Sequence, residues 1–303
     1  MKFRAVITEA PAMRDFMNIA LSLSKFSKEC VMRITTRKVY FIISEEDSGP
    51  RRPLVWCELP INFYFKEYNV VGVNQQFNEI YLEFSTALLA RSLSVLKQNV
   101  KSCKIKLTDK DSPCLTIETE LMAGDIISRQ VVHDIPVEVI SRKHWSDYEE
   151  PHFNDFHVTI QMPNLKFLKN IVDKMRNTSH TLIVSANKNG RLTLQVKTNM
   201  INLSAHFTDL NVDSFAGKNF KILSIHPSIV GHTTTNIHSA IEENDSDLIQ
   251  SVVDIKKFVM FLSGLQINNC RTTCSIVHSK MVKLYMDQPG SLSIQVFLTE
   301  MSL

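Results

Sequence analysis

Apolar and polar residues follow two different periods along the chain. In four segments the apolar side chains fall on one side of a helix when residues are placed at about 100° per position. These segments predict helices at 12–28, 85–99, 164–178 and 254–266. Short runs between them, such as KVYFII, TLIVSAN and SLSIQVFL, predict strands because they are rich in β-branched and aromatic residues.

The order of these elements occurs twice. Each half reads as strand, helix, strands, strand, helix and strands, and the turn at Asn189-Gly190 is a strong hairpin signal. The second half is longer because of a polar loop at about 209–246. We therefore predict one α+β unit used twice, each copy with an antiparallel sheet and two helices on one sheet face. The predicted boundaries are 1–130 for the N-terminal domain, 131–151 for a connector and 152–303 for the C-terminal domain.

Composition is that of an ordinary folded protein. The 303 residues allow about two domains, and the content is 44% hydrophobic and 21% charged. The six cysteines are scattered, and neither a signal peptide nor an apolar run of membrane-spanning length is present in the sequence. We expect an intracellular, reduced protein with buried free thiols.

Charge is segregated by element. The whole chain is only +3, yet the four helix segments carry eleven Lys and Arg against three Asp, so the remainder is net acidic. A solvated face is one interpretation, since Lys and Arg are good helix formers. The same bias in four helices favours a surface that meets duplex DNA through its backbone, without sequence readout. The predicted DNA-facing residues are Arg14, Lys25, Lys28, Arg91, Lys97, Lys166, Lys169, Lys174, Arg176, Lys256 and Lys257.

The residue patterns of known catalytic sites are missing from the sequence. It contains no G-x-G-x-x-G, P-loop or G-x-S-x-G motif. Cys270 and Cys274 lack the spacing of a zinc knuckle, and three loop histidines have no supporting ligand: His226, His232 and His238. His133-Asp134 resembles a catalytic pair, but its position before Ile-Pro favours a structural turn. We predict no catalytic residue, no metal and no cofactor, so the protein is not expected to be an enzyme.

An ordered series of short segments resembles one protein family along nearly the whole chain. The segments are MKFRA at the start, WCEL (56–59), NEIYLE (78–83), KIKLT (104–108), PCLT (113–116), HDIPVEVISRKHW (133–145), DKMRN (173–177), HFTDL (206–210), DIKKFVMFLSGLQ (254–266), CSIV and KMV (within 274–283) and LSIQVFL (292–298). They closely resemble the Hus-type subunit of the checkpoint sliding clamp. That clamp is the nine-one-one heterotrimer, whose fold is like that of proliferating cell nuclear antigen.

The resemblance implies a sliding-clamp (DNA clamp) fold in a ring of three different subunits. Sheets would form the outside, and helices would line a hole that encircles duplex DNA. The implied partners are two other clamp subunits (Rad-type checkpoint proteins), a clamp loader, repair enzymes and DNA without sequence specificity, with no membrane. The implied role is in DNA-damage checkpoint signalling, as a platform for checkpoint and repair proteins in the nucleus, with the cytoplasm as a second location.

The resemblance also makes the connector a docking site for partner peptides. We predict partner contacts by His133, Ile135, Val137, Ile140 and Trp145. Two stretches, at about 46–53 and 211–246, depart from the family pattern, so no contact is assigned to them.

Two other classes stay open at this point. A homotrimeric replication processivity clamp would have the same fold but identical neighbours, and the mass of the purified chain would distinguish it. An α+β enzyme would instead show a deep apolar pocket with convergent polar groups. In the clamp reading, one subunit covers only an arc and exposes unpaired edge strands that add to neighbouring subunits.

Overall fold

The computed structural model describes residues 1–45, 53–123, 127–153, 155–216, 248–264 and 270–302. We call residues up to Val139 the N-terminal unit, and a 3-10 turn at Ser94–Lys97 extends its third helix. Its described elements are β1 (Lys2–Ile7), α1 (Ala10–Phe26), β2 (Glu29–Ile34), β3 (Lys38–Ser44), β4 (Pro53–Pro60), α2 (Ile61–Tyr64), β5 (Glu67–Val71), β6 (Ile80–Ser85), α3 (Thr86–Leu93), β7 (Val100–Asp109), β8 (Pro113–Ala123) and β9 (Ile127–Val139).

A connector with a 3-10 segment at Arg142–Tyr148 leads to the C-terminal unit. The described elements of this unit are β10 (Val158–Gln161), α4 (Leu165–Met175), β11 (Thr181–Ala186), β12 (Leu192–Lys197), β13 (Asn202–Phe207), β14 (Val212–Phe215), β15 (Ile249–Asp254), α5 (Ile255–Gly264), β16 (Arg271–Val277), β17 (Met281–Gln288) and β18 (Leu292–Thr299).

Both units pair their strands in the same antiparallel order. In the N-terminal unit the orders are β5-β1-β7-β8-β9 and β9-β6-β2-β3-β4, and in the C-terminal unit they are β14-β10-β16-β17-β18 and β15-β11-β12-β13. Strand β9 serves two sheets, because residues 127–136 pair with β8 and residues 137–139 pair with β6. By this equivalence β4 corresponds to β13, β9 to β18, α1 to α4 and α3 to α5. The predicted duplication of an α+β unit is confirmed.

The two units meet edge to edge at β4 and β18. Residues 55–58 pair with residues 293–296, which merges the adjoining sheets into one of 14 strands. The helices form a row in the order α3-α1-α5-α4, with α1 packed against α3 and α5, and α5 packed against α4. At the α1–α5 contact the Ser22 hydroxyl lies 2.6 Å from the carbonyl oxygen of Gly264, and the Lys25 ammonium donates to that of Ser263 at 3.3 Å. One continuous layer of helices therefore crosses both units.

Strand alternation divides the buried residues between two sheet faces. In β3, Phe41 and Ile43 belong to the main core with the helices, whereas Ile42 points to a smaller cluster on the opposite face. We call this cluster the outer core, because the connector covers it and no helix of the row contributes to it. Trp145 of the connector stacks on Tyr81 there, with ring centroids 4.6 Å apart. The sheets thus separate the helix row from the connector.

Several sequence-based boundaries need correction. The predicted connector at 131–151 begins later, since β9 continues to Val139 as part of the N-terminal sheets. The predicted loop at 209–246 contains β14 (Val212–Phe215), which pairs with β10, and its residues 217–246 lie outside the described ranges. His226, His232 and His238 lie in that part, and residues 46–52 of the other divergent stretch are likewise outside.

Candidate nucleic-acid interface

Local capping and burial orient the helix cations. In α4 the side-chain oxygen of Asn164 accepts from the backbone N–H groups of Lys166 and Phe167 at 3.0 and 3.2 Å, which satisfies two otherwise unpaired donors of the first turn. Leu168 and Val172 of the same helix are fully buried in the main core. Because one side of the helix is fixed against the sheet, its lysines must project from the other side.

Eight of the eleven predicted DNA-facing residues have no ion-pair partner among the described residues. All eight are exposed. They come from each of the four helices in the row and from the segments that follow α1 and α3, so the row presents uncompensated positive charge on both units. They are Arg14, Lys25, Lys28, Arg91, Lys97, Lys166, Lys174 and Lys256.

The other three predicted DNA-facing residues are engaged in ion pairs. Lys169 pairs with Asp173 one helical turn later, and Arg176 approaches the same carboxylate at 3.9 Å. Lys257 pairs at 2.5 Å with Glu45, at the end of β3. These three cations share two carboxylates, so Lys166, which has no ion pair in the described ranges, is a stronger candidate than Lys169 for a phosphate contact.

Two of the three acids of the helix segments have partners within the protein. The Asp254 carboxylate accepts from the backbone N–H of Lys256 at 2.7 Å and so caps α5, while Asp173 is ion-paired. Asp15 is half-buried, and this burial raises the pKa of its carboxyl, although nearby Arg14 acts in the opposite direction. Asp254 and Asp173 therefore leave these exposed cations uncompensated, whereas Asp15 lies near Arg14 and interacts with it.

Cations on the sheets differ, because most of them lie beside a strand carboxylate. Glu118 receives hydrogen bonds from Lys104 and Lys106, which lower the pKa of its carboxyl. Lys110 does the same for Asp134. The remaining sheet pairs are Arg4–Glu67 at 3.0 Å, Arg33–Glu79 at 2.8 Å, Lys101–Glu120 at 2.9 Å and Arg271–Asp213 at 2.7 Å, together with Lys38–Glu58. Most strand cations are thus neutralised in pairs, whereas the exposed cations off the row that have no ion pair in the described ranges lie mainly in loops and at strand ends.

The predicted connector contacts separate into two groups. Ile135 and Val137 lie on β9 and are buried in the main core, so they support the sheet and present no surface to a partner. The prediction that Ile135 and Val137 contact a partner is therefore wrong. It arose because this part of β9 was assigned to an exposed connector. Ile140 and Trp145 belong to the outer core, where the Trp145 ring nitrogen donates to the Ile140 carbonyl at 3.1 Å.

His133 remains half-exposed on β9. The structural turn predicted at His133-Asp134 is wrong, because both residues lie inside β9, where Asp134 accepts from Thr116 at 2.5 Å and from Lys110 at 2.7 Å. Neighbouring side chains of a strand point to opposite faces, so the side chains of His133 and Asp134 do not face each other.

A cleft between the connector and the C-terminal unit was missed by the sequence reasoning. Apolar side chains of Phe153, Met281 and Phe297 line it, and carboxylates such as Asp147 and Glu149 surround it. The acidic run SDYEEP could have indicated its charge, but Met281 and Phe297 of the apolar floor come from strands more than a hundred residues away.

Thiols and other polar groups form no reactive centre in the described ranges. All six cysteines are free thiols, and five of them are buried. Burial raises the pKa of Cys103 and Cys274 to about 12, and it raises that of Cys30 and Cys57 as well. The described residues include no group of three His, Cys, Asp or Glu side chains placed to hold a metal. In the same ranges no helix is both long and apolar enough to span a bilayer.

Comparisons with known proteins agree with the geometry. The Hus1-like protein family matches residues 1–302. Checkpoint protein HUS1 of Homo sapiens is 35% identical over 302 residues, covering 100% of both chains. Checkpoint protein Hus1-like of Drosophila melanogaster is 34% identical over 219 residues, covering 72% of this chain and 79% of the relative. The crystal structure of Proliferating Cellular Nuclear Antigen from Entamoeba histolytica matches with a TM-score of 0.65 at 12% identity, covering 99% of both chains.

The duplicated sheets, the continuous helix row and the structural match define a sliding-clamp fold. Within that class, the chain belongs to the Hus1-like protein family. It is a subunit of a checkpoint clamp, and the relatives favour a heteromeric checkpoint ring over the homotrimeric replication clamp considered above. The resemblance inferred from short segments is thereby confirmed.

Proposed function

We propose that this chain forms one arc of a nuclear heterotrimeric ring whose helix row faces duplex DNA. The ring retains DNA by topology, so its inner wall needs only weak and mobile attraction. Exposed lysines and arginines supply this attraction by meeting phosphates and displacing condensed counterions, irrespective of sequence. The chain acts as a platform and has no catalytic step of its own.

The observation that carries this proposal is the contrast in charge pairing. Cations on the sheets mostly have carboxylate partners, whereas eight cations on or beside the helix row have none among the described residues. The four helix segments also carry eleven Lys and Arg against three Asp while the rest of the chain is net acidic, and a merely solvated surface gives no reason for this segregation. A polyanion facing the row does give one, because unpaired cations are available to its phosphates.

Free strand edges support assembly into a ring. Inside the chain β4 pairs with β18, so the equivalent strands β13 and β9 are the edges left for neighbours. Strand β13 ends its sheet, and β9 leaves one edge open along residues 127–135, which includes His133. Neighbouring subunits would extend the sheets there by strand addition.

The partner-docking role belongs to the outer side of the chain. The cleft beside the connector combines an apolar floor of Phe153, Met281 and Phe297 with surrounding carboxylates. A peptide with apolar anchors and basic flanks fits this chemistry, as expected for checkpoint and repair proteins that use the ring as a platform. Clamp loading at primer–template junctions also belongs to this proposal.

The test is to co-express the chain with two Rad-type subunits and to load the purified complex onto nicked circular DNA. We expect co-purification, salt-sensitive retention on the circle and release when the DNA is linearised. Retention that is unaffected by linearisation would overturn encirclement. The mass of the chain alone tests the alternative homotrimer, which requires a stable self-trimer.

A further inference from the structure

We propose that two of the eight helix-row cations that have no ion pair among the described residues, Lys174 and Arg91, serve neighbouring subunits rather than DNA: they select the neighbours of this chain by placing uncompensated positive charge at its two subunit contacts. The neighbour on each side must then be a clamp subunit with an aspartate or glutamate at the facing helix position. A second copy of this chain, which has no carboxylate there, is rejected. The inference rests on the ring assembly proposed above and adds the chemistry that chooses its members.

The equivalence between α1 and α4 in the two repeated units shows which position Lys174 occupies. Apolar residues packed in the main core recur at 13, 16, 20 and 23 in α1 and at 165, 168, 172 and 175 in α4, a constant shift of 152. The prolines that precede the two sets, Pro11 and Pro163, have the same shift. Lys174 therefore occupies the position of Ser22, the residue through which α1 contacts Gly264 of α5.

The equivalence between α3 and α5 in the two repeated units shows which surface lies at the second subunit contact. Buried residues lie at 86, 89, 90, 92 and 93 in α3 and at 255, 258, 259, 261 and 262 in α5, a constant shift of 169. Val95 consequently occupies the position of Gly264, and Ser94 that of Ser263. Arg91 lies one turn before Val95 and shares its side of the helix. The outer end of α3 is therefore the surface that receives the α1-like helix of a neighbour.

The internal and external versions of this contact differ in charge. Inside the chain, Ser22 and Gly264 are small and neutral. At the outer ends, Lys174 and Arg91 are exposed and have no ion-pair partner in the described ranges. Segment 86–97 contains no acid, and Asp173, the one acid of α4, already pairs with Lys169.

A contact between two copies of this chain would therefore bring Lys174 toward Arg91 with no carboxylate available. Like charges at such a junction suppress the wrong partner, whereas a carboxylate on the neighbour would turn the same residues into an attraction. The charge of the outer helix ends thus favours heteromeric over self-assembly.

Sedimentation velocity of the chain alone tests the selection. Wild type is expected to stay monomeric. Lys174→Glu or Arg91→Glu should each strengthen self-association by about tenfold or more, because the reversed side chain meets the remaining cation of the next copy. The double variant should return to the monomer, because both sides are then negative. Single variants that sediment like wild type, or a double variant that stays associated, would overturn the proposal.

Co-expression with two Rad-type subunits separates this proposal from the DNA-binding one. The double variant Lys174→Glu with Arg91→Glu should lose co-purification, because it reverses the charge at both subunit contacts, whereas Lys166→Glu, on α4 two turns before Lys174, should keep it and reduce DNA retention. If both variants assemble normally and both lose DNA retention, Lys174 and Arg91 face DNA and the neighbour-selection proposal fails alone. If the wild-type chain neither co-purifies nor is retained on circular DNA, the proposed function fails instead.

Discussion

Neutralising Lys166 and Lys256 should change how strongly salt weakens DNA binding by the assembled clamp. Both lysines are exposed on the helix row and have no carboxylate partner among the described residues. Each phosphate contact contributes about 0.9 to the slope of log affinity against log salt for duplex DNA. Lys166→Gln should therefore lower the slope by about 0.9, and the double variant with Lys256→Gln by about 1.8.

The slope converts into a measurable change of affinity. Between about 50 and 200 mM salt, one phosphate contact costs a factor of about 3.5, and two contacts cost about 12. The double variant should thus lose about 12-fold less affinity over this range than wild type does. Fluorescence anisotropy with a labelled duplex measures both values on the same samples, and linear duplex is suitable because the slope concerns contacts rather than topology.

Matched variants on the outer side provide the control. Lys143→Gln removes an exposed lysine of the connector, and Lys101→Gln removes one that pairs with Glu120 at 2.9 Å. Both should leave the slope unchanged, because the sheets separate these residues from the helix row. An unchanged slope in the Lys166 and Lys256 variants, or an equal decrease in the controls, would refute the assignment of the helix row to DNA.

Three further outcomes concern stability and accessibility. Gly190 and Gly290 have φ angles of 77° and 81°, but only at Gly190 would a Cβ meet an atom, the carbonyl oxygen of Leu210 at 2.3 Å. Gly190→Ala should lower the free energy of unfolding in urea by more than Gly290→Ala, whose cost is about 1 kcal/mol; equal losses would contradict the clash. Trp145→Ala removes an aromatic stack of the outer core, so hydrogen exchange should rise across 142–153 while α4 stays protected, and exchange raised equally in both would count against local anchoring. Iodoacetamide labelling of the native protein, followed by mass spectrometry, should modify Cys270 first, since it is the least buried thiol. Labelling of all six thiols at the same rate would disprove this.

Helical periodicity predicted the helix row well because burial imposes it directly. Leu168, Val172 and Met175 recur at helical spacing, and all three are buried in the main core. The pairing of Lys169 with Asp173 could also have been predicted, since residues four apart on a helix are neighbours. The pairing of Lys257 with Glu45 could not, because the two residues are 212 positions apart and meet only when the two units join.

The connector shows where a family resemblance can mislead. Ile135 and Val137 alternate with polar residues as a strand does, and the structure places both in the main core. Because the resemblance was used to assign the whole segment 131–151 to the connector, the strand-like alternation at Ile135 and Val137 was overlooked. The cleft floor was beyond reach of any local pattern, because Phe153, Met281 and Phe297 come from separate elements.

The internal junction between β4 and β18 has a consequence for how this molecule can change over evolutionary time. Both sides of this junction, or seam, belong to one polypeptide, so Ser22 and Gly264 meet in every folded molecule. Residues at this seam therefore need not distinguish one partner from another. In the proposed heteromeric ring the outer seams have no such guarantee, because each must be formed with a separately made subunit. Under the proposed selection, the residues of the internal seam can therefore stay small and neutral, and only the two outer helix ends need to distinguish one subunit from another.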